Sequence, residues 1–448
     1  MTAHNEISTS VDNTKQNNSN QSPPSQKPGS AAFQSQYLVR DLQGGIITGA
    51  MAIPLSAGIA MMSHYPIKVA LATVVFACFI GWINAWIKPG NYIGAPGVAA
   101  GLAPVLAMGV ASFGIDNMAF AIFLTSFIQA VIWKFNLQKY ILVAVPSYMI
   151  EGLLAGVGLK ITVNFFVMTY ELPKDSVSVE FWNLARIQMV MISLGGFALF
   201  LYLFSKYQAK QPAVPYFALI IAGVVIAQFF HMPMLYVEDV PLSLALPIPH
   251  FKDAFTWLQV IGFALMLAII DVIEQVMSNA AIEKIDPLKR KCNTNNSLLA
   301  IWISNMGASF FGGMTNLDGL AKSTTNKLAG AYTKFSVLVI GFVLLFFVLN
   351  TQYLEYLPKF SLAIIMIFTG WKMIAGLLHV ANNGQYALML AVFCALAVYK
   401  LGIFEGLLLA MMLHGIVNYI VFKHTGNMKP LEIIKKYFER FAGPRGVD

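Results

Sequence analysis

Asp271, Glu274 and Ser278 stand at i, i+3 and i+7 within the otherwise apolar run from Phe263 to Asn279. On a helix that spacing gathers all three onto one face. Two carboxylates and a hydroxyl supply the oxygen ligands that a hard cation such as Na⁺ takes, and crowded carboxylates also hold protons. The plainer alternatives are a salt bridge to Lys322 or burial as neutral acids. A second polar run, Gly312 to Asn326, holds Thr315, Asp318, Lys322, Ser323, Thr324 and Thr325 between apolar flanks. Asp318 admits two uses: as the N-cap of a following helix, the commoner one, or as a ligand for a coupling cation or proton. Lys322, four residues on, can pair with it or place a positive charge below an anion. A third run, Pro89 to Gly101, is rich in Gly, Pro and Ala. A helix starting after either of the last two runs aims free N–H groups and a positive dipole end at whatever lies before it. Two such starts facing each other would form a cradle for an anion; the alternative is a small-residue helix-packing seam.

The elements that position these groups are membrane helices. The chain has 448 residues, 57% hydrophobic and 11% charged, with a mean hydropathy of +0.66. Soluble domains run at about 45–50% apolar and about 25% charged. Apolar runs long enough for a bilayer predict spans near 43–62, 67–87, 98–112, 117–133, 143–168, 186–205, 213–231, 256–283, 297–312, 318–331, 334–350, 360–378, 384–400 and 402–422. Two of them, 98–112 and 318–331, are too short to cross alone. Each is third in a set of seven, and interrupted spans at matching places in two halves point to a transporter's binding site. Irregular backbone at that depth survives only beside protein or a water-filled cavity.

Basic residues concentrate in alternate loops: Lys134 and Lys139, Lys206 and Lys210, then Lys284, Lys289, Arg290 and Lys291. The positive-inside rule then places both termini in the cytoplasm, and the membrane is expected to be the inner one. The same distribution makes the net charge of +8 a topology signal rather than a nucleic-acid footprint. Residues 1–36 are rich in Ser, Asn, Gln and Pro and read as a disordered cytoplasmic tail. Cys78, Cys292 and Cys394 have no paired spacing, and read as two core thiols and one on a loop. Glu151 and Lys160 share no helix face, and the histidines show no ligand spacing.

Four segments, in order, resemble the SulP (sulfate permease) family of inorganic anion transporters. Ile53-Pro54-Leu55-Ser56-Ala57 is similar to its first-span [IL]-P-L-A-x-A, and Val145-Pro146-Ser147 with Glu151-Gly152-Leu153-Leu154-Ala155 to its fifth-span motif. Glu274-Gln275-Val276-Met277-Ser278 falls where the family has [DE]-S-L-L-[TS]. Gly312 to Asn326 looks like G-G-x-P-x-[TS]-G-[AG]-I-[AS]-R-[TS]-x-x-N. The resemblance covers about residues 38–425. It implies an all-α polytopic protein of about 14 spans in two inverted seven-span repeats, with half-helices at spans 3 and 10. The transporter domain would cover 37–425, with a core at about 37–135 and 256–350 and a gate at about 140–231 and 358–422. By position, Gly97, Val98, Ala99, Asp318, Gly319, Ala321 and Lys322 would surround the anion, and Leu55 and Ile59 would line the first-span wall. Glu274 and Ser278 match the cation-site residues of Na⁺-coupled members, with Asp271 and Asp318 as further acids. Three departures stand out: Asp318 and Asp271 replace small residues, and Lys322 replaces Arg. Residues 426–448 form a short basic tail where members usually carry a STAS domain, so none is expected here.

The expected function is secondary active transport of sulfate or bicarbonate, coupled to Na⁺ or H⁺, with no other cofactor and no enzymatic activity. The alternatives are a nucleobase or dicarboxylate carrier on the same fold, or an uncoupled anion channel or exchanger. The expected partners are the anion, the lipid bilayer and a second copy of the chain as a homodimer, with no nucleic acid.

Overall fold

In the computed structural model the described residues are 29–98, 101–138, 146–170, 184–207, 214–230, 232, 234–251, 254–401 and 403–426. They contain fourteen α-helices and two short strands. The first seven helices are α1 (Leu38–Met62), α2 (Ile67–Ile87), α3 (Ala103–Phe113), α4 (Ile115–Lys134), α5 (Ser147–Tyr170), α6 (Leu184–Tyr207) and α7 (Val214–Phe230). The second seven are α8 (Ala254–Ile285), α9 (Thr294–Ser309), α10 (Leu320–Leu328), α11 (Phe335–Leu349), α12 (Lys359–Val380), α13 (Gln385–Leu401) and α14 (Ile403–Gly426). Strand β1 (Pro96–Val98) precedes α3, and β2 (Asn316–Asp318) precedes α10. Among the described residues, six helices are long and apolar enough by themselves to cross a membrane.

The two short helices begin later than the hydropathy pattern predicts, because β1 and β2 occupy their expected first residues. At about 1.5 Å per residue, α3 and α10 are roughly 16 and 14 Å long, half the thickness of a hydrocarbon core. Their N-termini therefore end inside the protein, where the ribbon meets them.

The helices pack in two groups. In one, α1 and α2 lie against α11, α4 against α8 and α9, and α10 against α1 and α8. In the other, α5 lies against α12, α13 and α14, and α6 against α7. The groups touch where α1 meets α12 and α3 meets α5. Small residues allow the close approaches, as expected where lipid offers no hydrophobic drive between helices. A Cβ at Gly156 of α5 would meet the Ala395 carbonyl and Val398 of α13, and one at Gly45 of α1 would meet the Ser336 carbonyl and Val339 of α11. Gly45→Leu is therefore expected to lower thermal stability in detergent by about 1–3 kcal/mol. An unchanged melting temperature would show that the α1–α11 contact can open without cost.

Part of the expected N-terminal tail is ordered. Residues 29–36 lie on the first group, with Ala31 and Ala32 buried against Ala85, Trp82 and Tyr92. Phe33 packs edge-on to Phe335, and Tyr37 stacks on Tyr332 at 4.3 Å. The composition of 1–36 hides this because one short apolar stretch, Ala31-Ala32-Phe33, closes a polar segment. Residues 1–28 and 427–448 lie outside the described residues. Next to this strap, the buried Asp41 carboxylate accepts from the Tyr332 and Thr333 amides at 2.7 and 3.0 Å. Arg290 pairs with Asp286 at 2.8 Å and donates to the Tyr332 carbonyl at 2.7 Å. The turn leading into α11 is thereby fixed from both sides.

Candidate functional site

β1 and β2 form an antiparallel ribbon that pairs Pro96 with Asp318, Gly97 with Leu317, and Val98 with Asn316. Antiparallel pairing sends the following helices, α3 and α10, away from opposite ends of the ribbon. Side chains alternate faces along a strand, and directly paired residues share a face. Gly97 and Leu317 therefore share a front face, while Pro96, Val98, Asn316 and Asp318 share the back. This sidedness separates the charged groups. The Gly319 amide donates to the Ala95 carbonyl at 3.0 Å, and the Ala95 amide to the Ser323 hydroxyl at 3.0 Å, locking the start of α10 to the approach of β1.

On the front face lies Lys322, 2% exposed, its Nζ 3.3 Å from the Ser56 hydroxyl of α1. The ammonium rests against Gly97, where any Cβ would collide with it. Among the described residues no carboxylate comes within ion-pair distance of it. The expected i, i+4 pair with Asp318 is not formed, because Asp318 points through the other face. Leu55 and Ile59 are buried in α1 on either side of Ser56. Gly319 is the N-cap of α10 and Ala321 belongs to its first turn. Ala99 lies outside the described residues.

On the back face the Asp318 carboxylate accepts two hydrogen bonds and faces one ammonium. Asn91 Nδ2 donates at 2.6 Å, Gln275 Nε2 at 3.1 Å, and Lys334 Nζ stands 3.6 Å away. The capping use of Asp318 is thus corrected: the cap is Gly319 and makes no side-chain bond. Its place around the anion is corrected too, since the ribbon stands between its carboxylate and Lys322. Its main chain anchors the ribbon on α8, with the amide donating to Gln275 Oε1 at 2.8 Å and the carbonyl accepting from the Ser278 hydroxyl.

The acidic face of α8 divides as well. The Glu274 carboxyl lies against Gly101, just before α3, where a Cβ would clash with it. Its Oε1 is buried with no hydrogen-bond partner among the described residues. Asp271 is fully buried one turn earlier, and its Oδ2 accepts from Gln129 Nε2 of α4 at 2.6 Å and from Asn305 Nδ2 of α9 at 3.1 Å. Asn305 Oδ1 in turn accepts from the Asn316 amide at 2.8 Å. Neither acid forms the salt bridge to Lys322 that stood as their plain alternative. Glu274 faces the start of α3, Asp271 the α4–α9 seam and Ser278 the ribbon.

The side chains that organise the site and went unread in the sequence are mostly amides: Asn91, Gln129, Gln275 and Asn305, together with Lys334. Spacing gave no sign of them; an amide in an apolar helix is the available signal, since such a group needs a partner. His414 lies buried in α14, with the Tyr386 hydroxyl and Asn418 Nδ2 each 2.9 Å from its Nδ1.

The model of the sulfate permease family matches residues 38–395. The chain belongs to that family. It is 26% identical over 400 residues to YvdB of Bacillus subtilis (strain 168), provisionally named a sulfate transporter, covering 84% of this chain and 74% of that protein. Among solved structures, the transmembrane domain of the cyanobacterial bicarbonate transporter BicA matches with a TM-score of 0.67 at 17% identity, over 85% of this chain and 98% of that one. SLC26A9 matches with a TM-score of 0.70 at 17% identity, over 87% and 66% of the respective chains. The murine Slc26a9 anion transporter in the inward-facing state matches at 0.69 and 17%, over 87% and 69%. At that identity the structural likeness shows the fold. Membership in the sulfate permease family makes the chain a multi-pass membrane transporter for anions and not an enzyme.

Proposed function

We propose that this sulfate permease family member is a secondary active carrier of a small inorganic anion, sulfate or bicarbonate, coupled to Na⁺ or H⁺. The observation that carries this reading is Lys322, a buried ammonium without a carboxylate partner among the described residues, placed at Gly97 between the starts of two half-helices. In low dielectric such a charge is costly unless compensated, and an anion bound there compensates it. Helix N-termini add partial positive charge and free N–H groups. A neutral nucleobase would leave the ammonium uncompensated, which favours the inorganic anion.

The helix group α1–α4 with α8–α11 carries the anion and moves against the group α5–α7 with α12–α14, exposing the site to each side in turn. Glu274, beside the start of α3 and with an unpaired buried oxygen, receives the coupling ion. Ser278 and Asp271 lie on the same helix and hold its surroundings in place. The test is uptake of radiolabelled sulfate and bicarbonate into proteoliposomes with imposed Na⁺ and proton gradients. Saturable, gradient-stimulated uptake supports the carrier. Electrically conductive uptake that ignores both gradients would replace it with a channel.

A further inference from the structure

We propose that Lys334 is a positioning residue for the anion site. It braces the ribbon from behind and is itself held by the N-terminal strap of residues 29–37; this rests on the anion-carrier reading above. Lys334 is the N-cap residue of α11 and is 4% exposed. Its ammonium reaches both halves of the ribbon assembly, donating to the Gly94 carbonyl at 2.6 Å and standing 3.6 Å from the Asp318 carboxylate. Its main-chain amide donates to the Ala31 carbonyl of the strap at 2.9 Å. A small cavity lies behind the ribbon beside this pair, with Asn91, Asn316, Asp318 and Lys334 on its polar side and Ala77, Ala85 and Ile301 on its apolar side.

The two buried lysines thus do different work. Among the described residues Lys322 has no carboxylate partner on the front face, while Lys334 pairs with the Asp318 carboxylate on the back. Paired strand residues move together. A displacement of Asp318 therefore carries Leu317, Gly97 and the Gly319 cap with it, and these set where the anion meets Lys322. Removing the Lys334 charge leaves Asp318 uncompensated inside the protein, where breaking a buried pair costs more than deleting both partners. The strap extends the chain of contacts outward. Ala31 and Ala32 are clamped by Trp82 and Ala85, so whatever displaces the strap loosens the amide of Lys334.

The experiment is a double-mutant cycle on the full chain in proteoliposomes, reading KM and Vmax for sulfate and bicarbonate uptake. Lys334→Met is expected to raise KM by about tenfold, a loss of about 1.4 kcal/mol, while Lys334→Arg stays near wild type. Asp318→Asn/Lys334→Met, in which neither member of the pair is charged, is expected to recover most of that loss. Ala32→Trp, which wedges the strap away from Trp82 and Ala85, is expected to raise KM in the same direction. Losses that simply add in the double variant, or a fall in melting temperature with KM unchanged, overturn the proposal. If the wild type shows no saturable uptake of either anion, the carrier reading fails and takes this inference with it. Normal wild-type uptake with additive losses sinks this inference alone.

Discussion

Replacing Lys322 with methionine is expected to abolish saturable anion uptake at ordinary substrate concentrations, with little loss of folded protein. Removing one member of a close, desolvated charge pair costs about 2–5 kcal/mol, or roughly 30- to several thousand-fold in affinity. The wild-type ammonium is buried with one hydroxyl, Ser56, as its hydrogen-bond partner and no carboxylate beside it among the described residues. Methionine fills a similar volume without the charge, so the apo protein loses an uncompensated cation and is expected to melt no lower than wild type. Lys322→Arg keeps the charge and is expected to retain uptake with a changed KM, because a planar fork meets the anion differently from a point charge. The measurement is a titration of uptake rate against anion concentration for the three proteins. Wild-type KM in the methionine variant would remove Lys322 from the site.

Glu274→Gln is expected to separate binding from coupling. The substitution preserves shape and removes a carboxylate whose Oε1 has no partner among the described residues. Uptake driven by a Na⁺ or proton gradient should fall to the rate seen without a gradient. Binding of the anion itself should persist, because Lys322 and the ribbon are left intact. Relief of an uncompensated buried carboxylate should also raise the melting temperature, the usual exchange of stability for function at a site. Both effects together would place the coupling ion at Glu274. Undiminished gradient stimulation in the glutamine variant would move it elsewhere, with Asp271→Asn as the next variant.

The sequence made the scaffold legible because a bilayer imposes simple rules. Apolar length located every described helix to within several residues, and the Gly- and Pro-containing run before 98–112 and the Gly- and Thr-containing run before 318–331 marked where chain leaves helix for strand. Asp271, Glu274 and Ser278 were visible because charge inside an apolar run is rare. What stayed hidden was direction. The i, i+4 relation of Asp318 and Lys322 promises a pair only if both residues belong to one helix, and Asp318 turned out to belong to a strand. Strand periodicity then sends its carboxylate to the opposite face, toward Asn91 and Lys334. Those partners come from distant sequence, and amides and lysines carry no label for what they will meet.

The ribbon also has a consequence for how the protein is made. Asn91 and the Asp318 carboxylate it binds are 227 residues apart, and β1 has no strand partner before β2 is synthesised. At about 5–20 residues per second, the first repeat waits roughly 11–45 s with Pro96–Val98 unpaired. Throughout that interval its ladder N–H and C=O groups lack the partners β2 will supply, and unsatisfied backbone groups are costly at membrane depth. The first half is therefore complete in its helices but not in its strand pairing until β2 arrives.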